Sequence, residues 1–389
     1  MKGSLLTKVL VATMLLSMLL TACQPAATQA PAAAPTTPPQ AQPTTPPPAA
    51  QPTTAAAAPA TAVPAQPAAT TAPAANSAPQ SFVYVSPNPI GVDEFLKLGQ
   101  VGLDAAGKKY NAQTKVLEAT DPTSRQEDVQ AAVNGGATIV IVFGFEFNDI
   151  IAKIAPTAPK TQFLIVDQCI DNPPTNVHCA TSLEYEAAYL LGVEAAMLTK
   201  TNHVGAIGAQ DIPFLHRYTD GFAQGAKSIN PSITVDIRWI GGDNPFSDPV
   251  RGKEQALAMA SGNVDQVLAA ASGSNLGVFE AAKEKNFFAY GVDVNQCPTE
   301  PGFVVDNLLK HADVEMEQSI DAIMQNSTTQ SAVYGLKTGG IGTVAQEPGD
   351  LTSTQCLVAS HPDVIKKVNE VAQQIEDGTI KLQDPMFQK

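Results

Sequence analysis

The chain has little aromatic or basic side chain to work with. It carries one tryptophan, aromatics make up 6% of its residues, and 23 Lys and Arg stand against 37 Asp and Glu, a formal charge of −14. Nucleic acid and anionic bilayers both need basic patches, so this balance argues against either as a binding partner. The five histidines (178, 203, 216, 311 and 361) show no paired metal-ligand spacing. His178 adjoins Cys179, but no CxxC or second histidine lies near, so no metal site is expected. There is no GxSxG elbow and no HExxH helix. GLDAAGK (102–108) matches the outline of a phosphate loop, yet Lys109 stands where the magnesium-binding Ser or Thr belongs, and the match falls inside a helical pattern. GGIG (339–342) is too short for a dinucleotide loop and reads as a turn. Carboxylates are plentiful, so an acid pair of the kind that cleaves glycosides or nucleosides stays open as an alternative. Nothing calls for a cofactor.

The longest apolar run is also short. MKGSLLTKVLVATMLLSMLLTAC places Lys2 and Lys8 before an apolar core (9–20) and small residues before Cys23, the three-part layout of a secretory signal. Leu20, Thr21, Ala22 and Cys23 resemble a bacterial lipobox, in which cleavage before Cys23 leaves a thiol that carries lipid. Residues 1–22 are therefore expected to be a lipoprotein signal peptide, with the mature chain tethered outside the cytoplasm. Residues 24–80 hold 15 of the 31 prolines and no charged side chain. Such a stretch cannot bury enough apolar surface to offset its conformational entropy, so 23–80 reads as a disordered Pro/Ala/Thr-rich tether.

The remaining 81–389 have a globular composition and a length at which one core usually becomes two. Four cysteines remain there, Cys169, Cys179, Cys297 and Cys356. Outside the cytoplasm an even count suggests disulfides, Cys169 with Cys179 being the more local pair. Apolar runs at 81–85, 114–119, 137–143, 161–167, 203–208, 233–240, 264–271 and 287–293 read as strands. Most are continuously apolar, as in sheets covered on both faces. Amphipathic stretches at 92–110, 124–134, 183–198, 218–229 and 249–261 alternate with them, giving an α/β chain with parallel sheets. Ligands of such sheets lie beyond the carboxyl ends of the strands. The candidate segments are therefore 87–93, 120–125, 144–149, 167–171, 210–218, 241–248, 272–275 and 293–296, rich in Asp, Asn, Ser and aromatics.

Six stretches in order, 144–167, 182–198, 204–231, 246–259, 277–296 and 335–342, resemble the basic membrane protein lipoproteins, substrate-binding proteins of ABC transporters that include purine nucleoside receptors. Their succession GFxxGA, DPxxGKE, AAKE and GVDxxQ carries the likeness. The resemblance implies a type I periplasmic-binding-protein fold, two doubly wound parallel-sheet lobes joined by a hinge, here 81–184 with 306–335 and 185–305 with 336–389. It also implies a nucleoside-like ligand and ABC permease subunits as partners, with a ligand sensor as an alternative role. Carried over by motif, Phe95 and Tyr218 are the stacking aromatics and Asp149 of GFxxxD faces the base. Asp293 of GVD grips the ribose, with Lys310 of VVDNLLK as its electrostatic partner. Leu96, Asp306 and Asn307 depart from the family pattern.

Overall fold

The computed structural model describes residues 79–387. The expected signal peptide, the lipid-bearing Cys23 and nearly all of the tether lie outside the described residues. Among the described residues no helix is long and apolar enough to cross a membrane.

The first sheet contains β1 (Ser81–Ser86), β2 (Gln113–Glu118), β3 (Ile139–Phe143), β4 (Gln162–Val166), β5 (Val177–Ser182) and β11 (Ser331–Tyr334), in the order β11-β5-β4-β3-β1-β2. All its pairings are parallel. The second contains β6 (His203–Gly208), β7 (Thr234–Trp239), β8 (Gln266–Ala270), β9 (Phe288–Asp293), β10 (Val304–Lys310) and β12 (Ile341–Thr343), in the order β12-β10-β9-β8-β6-β7. Here only β10 and β12 run antiparallel. The two orders superimpose strand for strand, β4 on β9 and β5 on β10, so the molecule is a pseudo-repeat of one α/β unit. Strands β3, β4, β8 and β9 are buried almost throughout. Covered faces are why their sequences do not alternate.

Helices cover both sheets. In the first lobe, α1 (Glu94–Tyr110) starts at Asp93, whose side chain accepts the Leu96 N–H, and α2 (Pro122–Asn134) starts at a capping box of Asp121 and Ser124. GLDAAGK lies wholly within α1. The short α3 (Asn148–Ile154) follows β3. In the second lobe, α4 (Glu184–Leu198) and α5 (His216–Ile229) pack at close range through glycines. A Cβ on Gly225 would stand 1.9 Å from the Tyr189 carbonyl oxygen, and one on Gly192 2.0 Å from that of Phe222. The lobe is completed by α6 (Pro249–Ser261), α7 (Asn275–Lys285) and α9 (Pro362–Glu376).

The chain passes between the lobes three times, from β5 into α4, from β10 into α8 (Ala312–Met324), and from β11 to β12. These crossings place a boundary differently from the sequence expectation, which put 306–335 in the first lobe. Strand β10 pairs with β9 through Leu308–Val292 and Leu309–Asp293 and belongs to the second sheet. Only α8, packed on α1, and β11 join the first. The run VVDNLLK is apolar enough to be a strand of either sheet, and its partner is decided by pairing, not by composition. Strand β5 escaped sequence reading because VHCATS has no apolar run.

The glycine contacts give a test. Gly225→Ala should lower the unfolding free energy in urea by about 1–3 kcal/mol or more, since the new methyl meets backbone that cannot rotate away. An unchanged denaturation midpoint would show that the two helices tolerate separation.

Candidate functional site

Facing strand ends of the two lobes enclose a cleft of about 590 Å³, counted with the part open to solvent. The first lobe contributes Asp93, Phe95, Phe145, Glu146 and Asp167, and the second Phe214, Tyr218, Phe246, Ser272 and Asp293, with Lys310 between them. Asp293 and Lys310 end their strands, Tyr218 stands in the first turn of α5, and the other polar wall residues follow strand ends, the location that parallel sheets favour. Three non-glycine residues of the wall adopt positive φ: Asp167 (91°), Ser272 (49°) and Asp293 (73°). Such backbone costs roughly 1–3 kcal/mol per residue and persists where the surroundings over-determine it. Asp167 and Asp293 occupy equivalent ends of β4 and β9, in FLIVD and AYGVD, so the pseudo-repeat aims one carboxylate from each lobe at the same space.

Disulfides fix the turns behind both carboxylates. Cys169 bonds Cys179 and Cys297 bonds Cys356. Behind Asp293, the Gln296 side-chain oxygen accepts from the Val292 N–H (3.2 Å) and Asn275 Nδ2 (3.1 Å), while Asn307 Oδ1 accepts the Gln296 N–H (3.1 Å). Asp306 accepts the N–H groups of Val344 (2.8 Å) and Ala345 (3.0 Å). The two family departures at 306 and 307 therefore brace the second lobe, and neither lines the cleft.

Aromatic rings furnish the walls. Phe95 packs on Phe143 (centroids 5.1 Å apart), and Tyr218 meets Phe214 edge-on at 6.0 Å. Phe145 of the first lobe lies 6.4 Å from both Phe214 and Phe246 of the second, so rings approach each other across the cleft. Arg125 donates to the Pro87 carbonyl (2.8 Å) and to Asn88 Oδ1 (3.1 Å), holding the loop after β1.

The expected site residues are distributed unevenly. Phe95, Tyr218, Asp293 and Lys310 share this cleft. Asp149 does not: it lies exposed in the first turn of α3, where a carboxylate suits the helix dipole. A 3₁₀ turn at Phe145–Phe147 rotates GFEFND so that Glu146 takes the wall position instead. Lys310 also differs from its expected pairing. Its ammonium donates to Asp167 and to Glu184 Oε1 (2.7 Å), and among the described residues no hydrogen bond joins it to Asp293. It also lies 4.9 Å from the Phe95 ring centroid, within cation–π range.

Electrostatics separate these carboxylates. Desolvation alone would lower Lys310, but Asp167 and Glu184 outweigh it and hold it well above the ordinary lysine value. Burial lifts Asp167 to about 6 against the pull of Lys310, so the two form an ion pair at neutral pH. Asp293 has no such contact: among the described residues no hydrogen bond reaches its carboxylate. Burial raises it to about 7, with Lys310 opposing and Asp93, Asp167 and Glu184 adding to the rise. Burial likewise raises Glu146 to about 7. Burial raises Asp93 too; the Ser272 hydroxyl of the other lobe approaches closely enough to oppose this, though without a well-formed hydrogen bond. The site is thus a ring-walled cleft holding Asp293, a buried carboxyl group that no hydrogen bond reaches among the described residues. It can bind hydrogen-bond donors, and it contains no nucleophile oriented by a base.

Sequence reasoning missed Glu146, Phe145, Phe214, Phe246 and the ion-pair carboxylates Asp167 and Glu184 as site residues. All but Glu184 fall in the strand-end segments, so the signal was present by segment but not by residue.

Two lobes of doubly wound sheet with a shared cleft define the class of periplasmic solute-binding proteins. Solved structures bear this out for the fold: a solute-binding protein of an ABC transporter system from Aeropyrum pernix K1 superimposes with TM-score 0.70 at 23% identity, over 79% of this chain and 94% of that one. A transcriptional activator of the comK gene from Bacillus halodurans gives 0.64 at 17%, over 78% and 100%. The sequence model of the family described as ABC transporter substrate-binding protein, PnrA-like, matches residues 85–377, and the chain belongs to that family. It is 30% identical over 263 residues to the ABC transporter nucleoside-binding protein BmpA of Lactococcus lactis subsp. cremoris, spanning 62% of this chain and 74% of that protein. It is 28% identical over 312 residues to the CD4+ T-cell-stimulating antigen of Listeria monocytogenes, spanning 75% and 81%. The chain is accordingly an extracytoplasmic substrate-binding protein and not an enzyme, with a small-molecule ligand and permease partners. The acid-pair hydrolase alternative falls with this.

The raised Asp293 has a signed consequence for stability. In the unfolded chain Asp ionises near 4, so between about pH 4 and 7 the native state holds the extra proton. Stability therefore falls as pH rises through that window. Asp293→Asn should make the protein more stable at pH 8, on the order of 2–4 kcal/mol, and change little at pH 4. Urea unfolding at the two pH values measures this, and an equal effect at both would refute it.

Proposed function

We propose that this chain is a lipid-anchored receptor, tethered through Cys23, that captures a nucleoside, a purine nucleoside in particular, and delivers it to an ABC permease. The observation that carries the proposal is Asp293: a desolvated carboxylate without a partner, at the edge of a cleft walled by Phe95, Phe145, Phe214, Tyr218 and Phe246. A vicinal diol supplies two donors to one carboxylate, each charge-assisted contact contributing about 1.5–3 kcal/mol. A planar base fits between rings, where stacking contributes about 1–3 kcal/mol. The name of the Lactococcus relative supports the same ligand class.

Capture would proceed by cleft closure. A ligand touching Asp293 of one lobe and Phe95 of the other interacts fully only when the lobes meet, so it stabilises the closed state over the open one. Glu146 takes the place proposed from sequence for Asp149, at the base end.

A panel of nucleosides, free bases, sugars and amino acids tested by thermal shift and calorimetry decides the ligand class. Guanosine, inosine or adenosine at about 100 times its dissociation constant should stabilise the fold by about 2.7 kcal/mol. Asp293→Ala should weaken nucleoside affinity about 100-fold or more while leaving free-base binding less affected. Stabilisation by another class and by no nucleoside would overturn the assignment.

A further inference from the structure

Behind the cleft an unbroken chain of charged groups joins the ligand wall to a segment remote from it in sequence. Asp384 receives Arg217 in a fork: Nε donates to both carboxylate oxygens (3.0 and 3.1 Å) and Nη2 to Oδ2 (2.5 Å). Arg217 Nη1 donates in turn to the Ser182 carbonyl (2.9 Å) and to Glu184 Oε2 (3.1 Å). Glu184 is fully buried and divides its two oxygens, Oε2 to Arg217 and Oε1 to Lys310. Lys310 ends the chain at Asp167, in the wall of the cleft. Neither Arg217 nor Asp384 lines the cleft. The turn at Pro385–Phe387 packs against Pro213–Leu215, the turn that presents Phe214.

We infer that Asp384 is a positioning residue for the ligand cleft: by holding Arg217 it leaves Glu184 Oε1 to Lys310, and so keeps the ammonium away from Asp293. A guanidinium deprived of Asp384 would have buried N–H groups without partners, and the nearest carboxylate is Glu184. Arginine takes carboxylates through two parallel hydrogen bonds, so it would claim both oxygens. Lys310 would then retain only Asp167, with a donor free for another anion. The groups that face Asp293 are Lys310, Asp93, Asp167, Glu184 and the Tyr218 phenol, and Lys310 is the one cation among them. Capture of Asp293 by Lys310 would occupy the carboxylate that the proposed function reserves for ligand, and on that reading this inference rests for its functional consequence.

The test uses the full chain labelled with ¹³C at aspartate carboxyl groups, Asp293 being assigned by its loss in Asp293→Asn. In Asp384→Asn the Asp293 titration midpoint should fall by about one pH unit or more, because a cation has moved within contact. Asp384→Glu should restore it. Met386→Ala, which loosens the packing of the same segment without removing charge, should leave it in place. An unmoved midpoint in Asp384→Asn, or an equal fall in Met386→Ala, overturns the inference. Calorimetry with guanosine and inosine adds the functional arm: Asp384→Asn should bind about tenfold more weakly, and equal affinity would likewise overturn the inference. If the unmodified protein binds no nucleoside, the proposed function fails, and the carboxyl titration by itself still decides the role of Asp384.

Discussion

The buried ammonium of Lys310 is the interaction on which the rest of the arrangement depends. Burying a lysine is costly unless it is paired, and here one charge is shared between Asp167 of the first lobe and Glu184 at the first crossing. The same crossings are tied by two further contacts. Ser182 donates to Glu315 of α8 (2.8 Å), and the Leu336 N–H donates to Glu186 of α4 (2.8 Å). All three passages of the chain between lobes are thus joined by polar contacts within one small region.

That arrangement also divides the acids of the molecule by purpose. Asp167, Glu184 and Asp384 neutralise Lys310 and Arg217, whereas Asp293 and Glu146 are desolvated with no cation in contact. A buried carboxyl without a partner lowers stability at neutral pH, and perturbed groups of this kind cluster at functional sites. A disulfide lies in the turn behind each of Asp167 and Asp293, and amide side chains brace the turn behind Asp293. The amides in residues 288–297, FAYGVDVNQC, are therefore structural. Asn295 and Gln296 organise the turn, and Asp293 alone of that stretch's polar groups faces the cleft.

Much of this is legible in the sequence. Continuous apolar runs alternating with amphipathic ones identify parallel α/β sheets, and the strand-end rule located most of the wall. The failures have physical causes. Strand β5 carries His178 and two hydroxyl side chains in place of an apolar run. Asp149 and Glu146 are three residues apart, and only the 3₁₀ turn at Phe145–Phe147 decides which of them faces inward. Lys310 and Asp293 lie on adjacent strands, but the direction of the lysine depends on where β10 leaves its sheet.

The amino-acid sequence by itself determined the α/β character with parallel sheets covered on both faces, the family and the acidic, aromatic content of the strand-end loops, because these follow from local periodicity, composition and motif. Tertiary structure alone decided which carboxylates are neutralised and which stay unpartnered. Lys310 meets residues 126 and 143 positions away in sequence, and Arg217 meets Asp384 at a separation of 167. No local pattern encodes such distances; they are set by the crossings between the lobes, which bring Lys310 to Asp167 and Glu184, and by the return of the C-terminal segment to α5.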